Sequence, residues 1–194
     1  MIALIDLGDQ NTGPTAKILK ELWQEFIITS NEIEICKADS VILTGYGGAS
    51  AGVKQLHLRN LFSVMRIIRK PFLGIGLGMH LMAEYSSEGN VSCLGLFKGS
   101  TEKFNEKVSN VKHSGFNTVK TVNGEKLFKG ISSDDKFFFD HSYYLPLSGY
   151  TTSVSANGIE FSASLEKENL YAVQFHPEKS GEAGLKLLRN FAAL

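Results

Sequence analysis

The chain has 194 residues, 43% apolar and 21% charged, which suits one folded domain over 1–194 with a full core and excludes a disordered or fibrous class. Twenty basic and twenty acidic residues cancel, which removes the broad positive field that nucleic acid or an anionic membrane needs in a partner. The opening MIALIDLGDQ has a short apolar run and no basic flank, no stretch is long enough to span a bilayer, and Cys36 and Cys93 lack zinc or disulfide spacing. A cytoplasmic protein without metal or other cofactor is expected.

In chain order, IALID (2–6), EFII (25–28), SVILTG (40–45) and PFLGIG (71–76) read as strands, because they are short, apolar, rich in β-branched residues and bounded by turn formers. Ala16, Leu19, Leu22 and Trp23 recur at helical spacing between the first two, and Leu58, Leu61, Phe62, Met65 and Ile68 before the fourth. Cys36 falls in a short helix ahead of SVILTG. Strands this uniformly apolar fit a parallel sheet covered on both faces. From about residue 91 the texture changes to FNTVKTVNG, KFFFDHSYYL, YTTSVSANGIEFSASL and NLYAVQF, with turns expected at Asn123-Gly124 and Asn157-Gly158. These imply antiparallel hairpins that extend the same sheet toward an edge. A last helix is expected from about Gly181, with Leu185, Leu188 and Phe191 on one face.

Four stretches bear on chemistry, and three of them follow strands, where ligands bind in open α/β sheets. L43-T-G-Y-G-G48 is a glycine-rich turn whose backbone N–H groups can hold an anion or oxyanion, or else simply a tight turn. G74-I-G-L-G-M-H80 has the form of a nucleophile elbow, in which small neighbours admit a reactive side chain at the sharp apex, yet Gly76 stands at that apex. Q174-F-H-P-E-K-S180 sets His176 and Glu178 two apart. In an extended backbone both then face one side, and a carboxylate beside an imidazole fixes its tautomer and raises its basicity. Alone, such a pair is more often an ordinary surface pair. D140-H-S-Y-Y144 and K112-H-S-G-F-N117 are polar, aromatic clusters that could line a pocket or an interface, or be satisfied core residues.

Taken together and in this order, the stretches resemble the class I glutamine amidotransferases, and among these the glutaminase subunit of imidazole glycerol phosphate synthase, over nearly the whole chain. The resemblance implies a flavodoxin-like three-layer α/β fold with a central, mostly parallel sheet. It also implies glutamine hydrolysis by a Cys-His-Glu triad that passes ammonia to a (β/α)8-barrel synthase partner. By position, His176 matches the proton shuttle and Glu178 its orienter. Gly45 and Gly47 lie in the stretch that matches the oxyanion strand, and His141, Ser142 and Tyr143 match the stretch that lines the glutamine pocket.

The departures fall on the chemistry. Where the family reads G-I-C-L-G-M-Q, this chain has Gly76 for the cysteine and His80 for a glutamine that helps hold the substrate. Thr44 replaces a proline, D-L-G-D-Q-N replaces D-Y-G-M-G-N, and Phe116 replaces a tryptophan. Cys36 and Cys93 are not placed to substitute for the missing thiol, and rescue by water would lose the covalent step and several kcal/mol of positioning. The expectation is a subunit without useful glutaminase activity that docks on a synthase, in histidine biosynthesis or a related amidotransfer in surface-sugar synthesis. The alternatives are an active glutaminase whose cysteine was replaced by design, and a module that binds glutamine or another small ligand.

Overall fold

A computed structural model describes residues 1–8, 12–107, 110–123 and 126–194. The first half alternates strands and helices: β1 (Ile2–Ile5), α1 (Gly13–Glu21), β2 (Phe26–Thr29), α2 (Glu32–Lys37), β3 (Ser40–Gly45), α3 (Ala49–Leu58), α4 (Phe62–Ile67), β4 (Phe72–Gly76) and α5 (Leu77–Met82). The second half is mainly strands: β5 (Ala83–Ser86), β6 (Val91–Ser92), β7 (Phe97–Lys103), β8 (His113–Thr118), β9 (Lys120–Thr121), β10 (Lys136–His141) and β11 (Tyr143–Tyr144). It continues with β12 (Thr151–Ala156), β13 (Glu160–Lys167), β14 (Leu170–Val173), a 3-10 turn at Pro177–Lys179 and α6 (Gly181–Ala192).

One sheet of eight strands, ordered β2-β1-β3-β4-β14-β13-β12-β9, organises the molecule. Its pairings are parallel from β2 through β14 and antiparallel from β14 to β9. The two textures of the sequence therefore meet at β14, which hydrogen-bonds to the parallel β4 on one side and to the antiparallel β13 on the other. Alternation along β1 shows why the strands are apolar throughout. Ile2 and Leu4 enter a core with Ala16 and Leu19 of α1 and Leu187, Leu188 and Phe191 of α6. Ala3 and Ile5 enter the opposite core with Val53 and Leu56 of α3, Met65 of α4 and Leu81 of α5. This is a three-layer α/β fold. No helix among the described residues is long and apolar enough to cross a membrane.

Several sequence expectations need correction. The periodic run from Leu58 to Ile68 is two helices, because Asn60 takes φ +58 and ends α3; Leu58 is exposed as a result. Trp23 is not on the buried face of α1: it follows the helix at φ +56 and stands 95% exposed. The antiparallel half does not all join the main sheet. β10 pairs with β8 in a sheet of their own, and β11, β7, β5 and β6 form another. The Asn157-Gly158 turn joins β12 to β13 as a hairpin, with Gly158 at φ +80. The expected Asn123-Gly124 turn extends outside the described residues, as does the second half of D-L-G-D-Q-N. α6 starts at Gly181 as expected, with Leu188 and Phe191 buried.

Candidate active site

β3, β4 and β14 are neighbours in the sheet, so their carboxyl ends bring the TGYGG turn, the Gly76 elbow and the segment after Val173 to one place. A cleft of about 320 Å³ opens there, and Gly45, Gly47, Gly76, His80, His141, Ser142, Tyr143 and His176 all border it. The small β8/β10 sheet closes its far wall with Lys112 and Asp140, paired at 2.7 Å. An isolated bridge between Phe138 and His176 ties that sheet to the segment after β14.

The elbow keeps its backbone. Gly76 has φ +56 and ψ −111, a conformation strained for any residue with a side chain, and it caps α5. Gly78 lets α5 lie against β3, because a Cβ there would run into the Leu43 carbonyl. A Cβ on Gly76 would point into the cleft, 2.7 Å from His176 Cε1 and 3.1 Å from His176 Nε2. The apex is thus aimed at the imidazole and carries nothing to present to it.

Beside the elbow stands a joined His–Glu pair. His176 and Glu178 are both buried, at 3% and 1% side-chain exposure, and Nδ1 lies 2.7 Å from Glu178 Oε1. The pair forms through a turn and not through strand alternation: His176 is extended and Pro177–Lys179 bend into the 3-10 turn that returns Glu178 beneath the ring. Burial pushes the Glu178 carboxyl up, but hydrogen bonds from His176 and Tyr46, its own backbone N–H and the His176 charge together hold it below the ordinary value. With its carboxylate on Nδ1, the imidazole turns Nε2 toward the elbow, as a general base requires.

Tyr46 is the residue that sequence reasoning passed over. Its ring stacks on His176 with centroids 4.5 Å apart and planes 6° from parallel, and its hydroxyl donates to Glu178 Oε1 at 2.8 Å. Burial and the adjacent carboxylate push its hydroxyl's pKa well up, so it stays a donor. The only available signal was a large aromatic side chain inside a run of glycines, which must rest against something. Lys112 and Asp140, from the two stretches expected to line a pocket or an interface, do border the cleft, and Gln174 and Glu88 border it without having been assigned a place in it. Glu88 Oε2 accepts the Ala49 N–H at the start of α3.

Two further histidines, His80 and His141, border the cleft, and His113 stands behind them in contact with His141. His80 is buried, which lowers its pKa, and its Nε2 pairs with Gln174 Oε1 at 2.8 Å. Burial also lowers His113, and lowers His141 to about 3 with help from neighbouring histidines. Asn117 Nδ2 donates to His113 Nε2 at 3.1 Å, His113 Nδ1 to His141 Nε2 at 3.1 Å, and His141 Nδ1 to the Tyr143 carbonyl at 2.8 Å. Both ring nitrogens of His141 are therefore engaged within the protein. No group of three or more His, Cys, Asp or Glu residues among the described ones could hold a metal.

Residues 3–194 match the family model for glutamine amidotransferase class-I. The chain belongs to the class I glutamine amidotransferase family. It is 40% identical to imidazole glycerol phosphate synthase subunit HisH of Bacteroides fragilis, covering 100% of this chain and 99% of that protein. It is 36% identical to the subunit of the same name from Buchnera aphidicola over 98% of each chain. Among solved structures, a protein of Thermoplasma acidophilum described as a putative GMP synthase subunit superposes with TM-score 0.77 at 22% identity, covering 99% of this chain and 92% of that one. A glutamine amidotransferase from Thermotoga maritima gives 0.67 at 18% identity, with coverages of 98% and 95%. The amidotransferase fold is thus shared well below the identity at which these structures could speak to activity, while the chain is a full-length homologue of the HisH subunits.

Proposed function

We infer that this amidotransferase homologue acts as a non-hydrolytic subunit of an imidazole-glycerol-phosphate-synthase-type complex, docking on a (β/α)8-barrel synthase and stabilising or activating it while that synthase draws on free ammonia. The observation that carries the reading is the bare apex: Gly76 sits in an elbow aimed at a hydrogen-bonded His–Glu pair and has no atom to attack an amide. The histidine can accept a proton, but no thiol donates one within the cleft. Cys36 is exposed on α2, and Cys93 is buried in the core with its thiol pushed up to about 11. Water attacking in place of a thiol would have to be positioned anew in each turnover.

Docking is supported by a surface beside the cleft. Phe116 on β8 is 60% exposed and meets Phe138 of β10 edge to face at 5.5 Å, while Lys179 Nζ lies 5.3 Å from the Phe138 ring. An exposed aromatic ring backed by a half-buried one is the kind of anchor that protein interfaces favour. The relatives' description as synthase subunits supplies the class of partner.

The test is reconstitution with the cognate barrel synthase. Glutamine-dependent turnover should be absent and ammonia-dependent turnover changed by addition of this chain. Glutamate release by the chain, or failure to form a complex, would overturn the reading. The retained cleft favours one variant of it, in which glutamine still binds without reacting; calorimetry with glutamine and glutamate separates the two.

A further inference from the structure

We propose that Tyr46 is a positioning residue that locks His176 against the vacant elbow, so that the site is closed to a nucleophile at two places and not one. The inference rests on residue 76 being the nucleophile's place, and it concerns a side chain that stands 132 positions from its partner Glu178.

Tyr46 covers one face of the imidazole and donates to Glu178 Oε1, the oxygen that also lies 2.7 Å from His176 Nδ1. The ring, its carboxylate and the tyrosine thus form a closed triangle. Lys179 Nζ, 4.5 Å from the Tyr46 centroid, adds a fourth contact from the turn that carries Glu178. Held in this way, His176 stands where a side chain at residue 76 needs room. Its Cε1 is 2.7 Å from the Cβ position, closer than such contacts occur, and the Gly45 carbonyl oxygen is 3.5 Å away on another side. A histidine free to slide a few tenths of an ångström could accommodate a new side chain. One clamped by stacking and a shared hydrogen bond resists doing so.

The consequence is that Gly76→Cys alone yields a thiol crowded by the imidazole and not productively paired with it. Removing the tyrosine ring as well, in Gly76→Cys/Tyr46→Val, opens volume beside His176 and lets the imidazole withdraw to hydrogen-bond distance from sulfur. The pair can then exist as thiolate and imidazolium.

The pH profile of iodoacetamide alkylation reads this directly, with modification of residue 76 located by peptide mass spectrometry and far-UV circular dichroism confirming that each full-length variant is folded. The single variant should alkylate with a midpoint at or above the free-thiol value of about 8.5. The double variant's midpoint should lie about two pH units lower, with reaction at pH 7 roughly tenfold faster. Gly76→Cys/Tyr46→Phe, which keeps the stacked ring, should remain with the single variant. A low midpoint in Gly76→Cys alone, or a folded double variant that alkylates no differently, overturns the proposal. Because the readout is thiol ionisation, it stands apart from whether the natural chain hydrolyses glutamine or binds a synthase.

Discussion

Two neighbouring strand ends, those of β4 and β14, border the cleft side by side and differ in what they present to it. At the end of β4 the backbone makes a sharp elbow, with a positive-φ apex and a glycine that admits α5 against β3, but the apex residue carries no side chain. At the end of β14 the side chains are all present and joined by hydrogen bonds. The difference shows that a site's architecture and its chemistry are separable. The elbow is held by the close approach of α5 to the sheet, which is part of the core, whereas a nucleophile touches little that the fold depends on. On the β14 side, removing one member of the buried His176–Glu178 pair would leave the other unsatisfied.

The largest effect should come from breaking the β14 side. His176→Ala leaves Glu178 buried without its imidazole and should cost about 3 kcal/mol in urea unfolding at neutral pH. The cost should shrink in acid. Glu178 is held below its ordinary carboxylate value in the folded protein, so its stabilising contribution is present above that value and is lost as pH falls and the carboxyl protonates.

On the β4 side, Gly78→Ala drives a Cβ into the Leu43 carbonyl and should cost a comparable amount, about 3 kcal/mol. Gly149→Ala is the control: no atom lies within 4 Å of its new Cβ, and stability should stay within about 0.5 kcal/mol. If Gly78→Ala were as mild as Gly149→Ala, the elbow would not be anchored by the core.

A smaller effect separates the neutral histidines from both strand ends. His141 has a folded pKa of about 3, below its unfolded value, so the unfolded chain binds the proton first. Its stabilising contribution is complete above the ordinary histidine value and declines as pH falls through it. The loss should be about 1 kcal/mol between pH 7.5 and 5.5. His80 and His113, also lowered, act in the same direction. The slope of unfolding free energy with pH should flatten in His141→Gln.

The smallest effect on stability should be that of Phe116→Ala, within about 0.5 kcal/mol, because the ring is largely in solvent. The same variant should weaken synthase binding at least tenfold in titration calorimetry if the Phe116/Phe138 surface is the docking face.

Much of this was legible in the sequence where the signal is local. IALID, SVILTG and PFLGIG alternate between two cores and are apolar on both faces, which identifies buried parallel strands. The Asn157-Gly158 hairpin follows from turn chemistry. Periodicity misled at Leu58–Ile68, because apolar spacing runs on through a backbone break at Asn60. It misled again at Trp23, where the helix had already ended. In the site, His176 and Glu178 were visible as a motif, but their burial was not, since an H-x-E pair reads the same on a surface.

By itself the sequence determined the strand-and-helix order, the family to which these motifs belong and the bare residue at the elbow's apex, all properties of neighbouring residues or of covalent composition. Only the tertiary structure decided that Tyr46 stacks on His176, that Asn117, His113 and His141 form one hydrogen-bonded chain, and that the imidazole fills the space above Gly76. These contacts depend on which strands end side by side. Sheet order sets that, and local propensity does not record it.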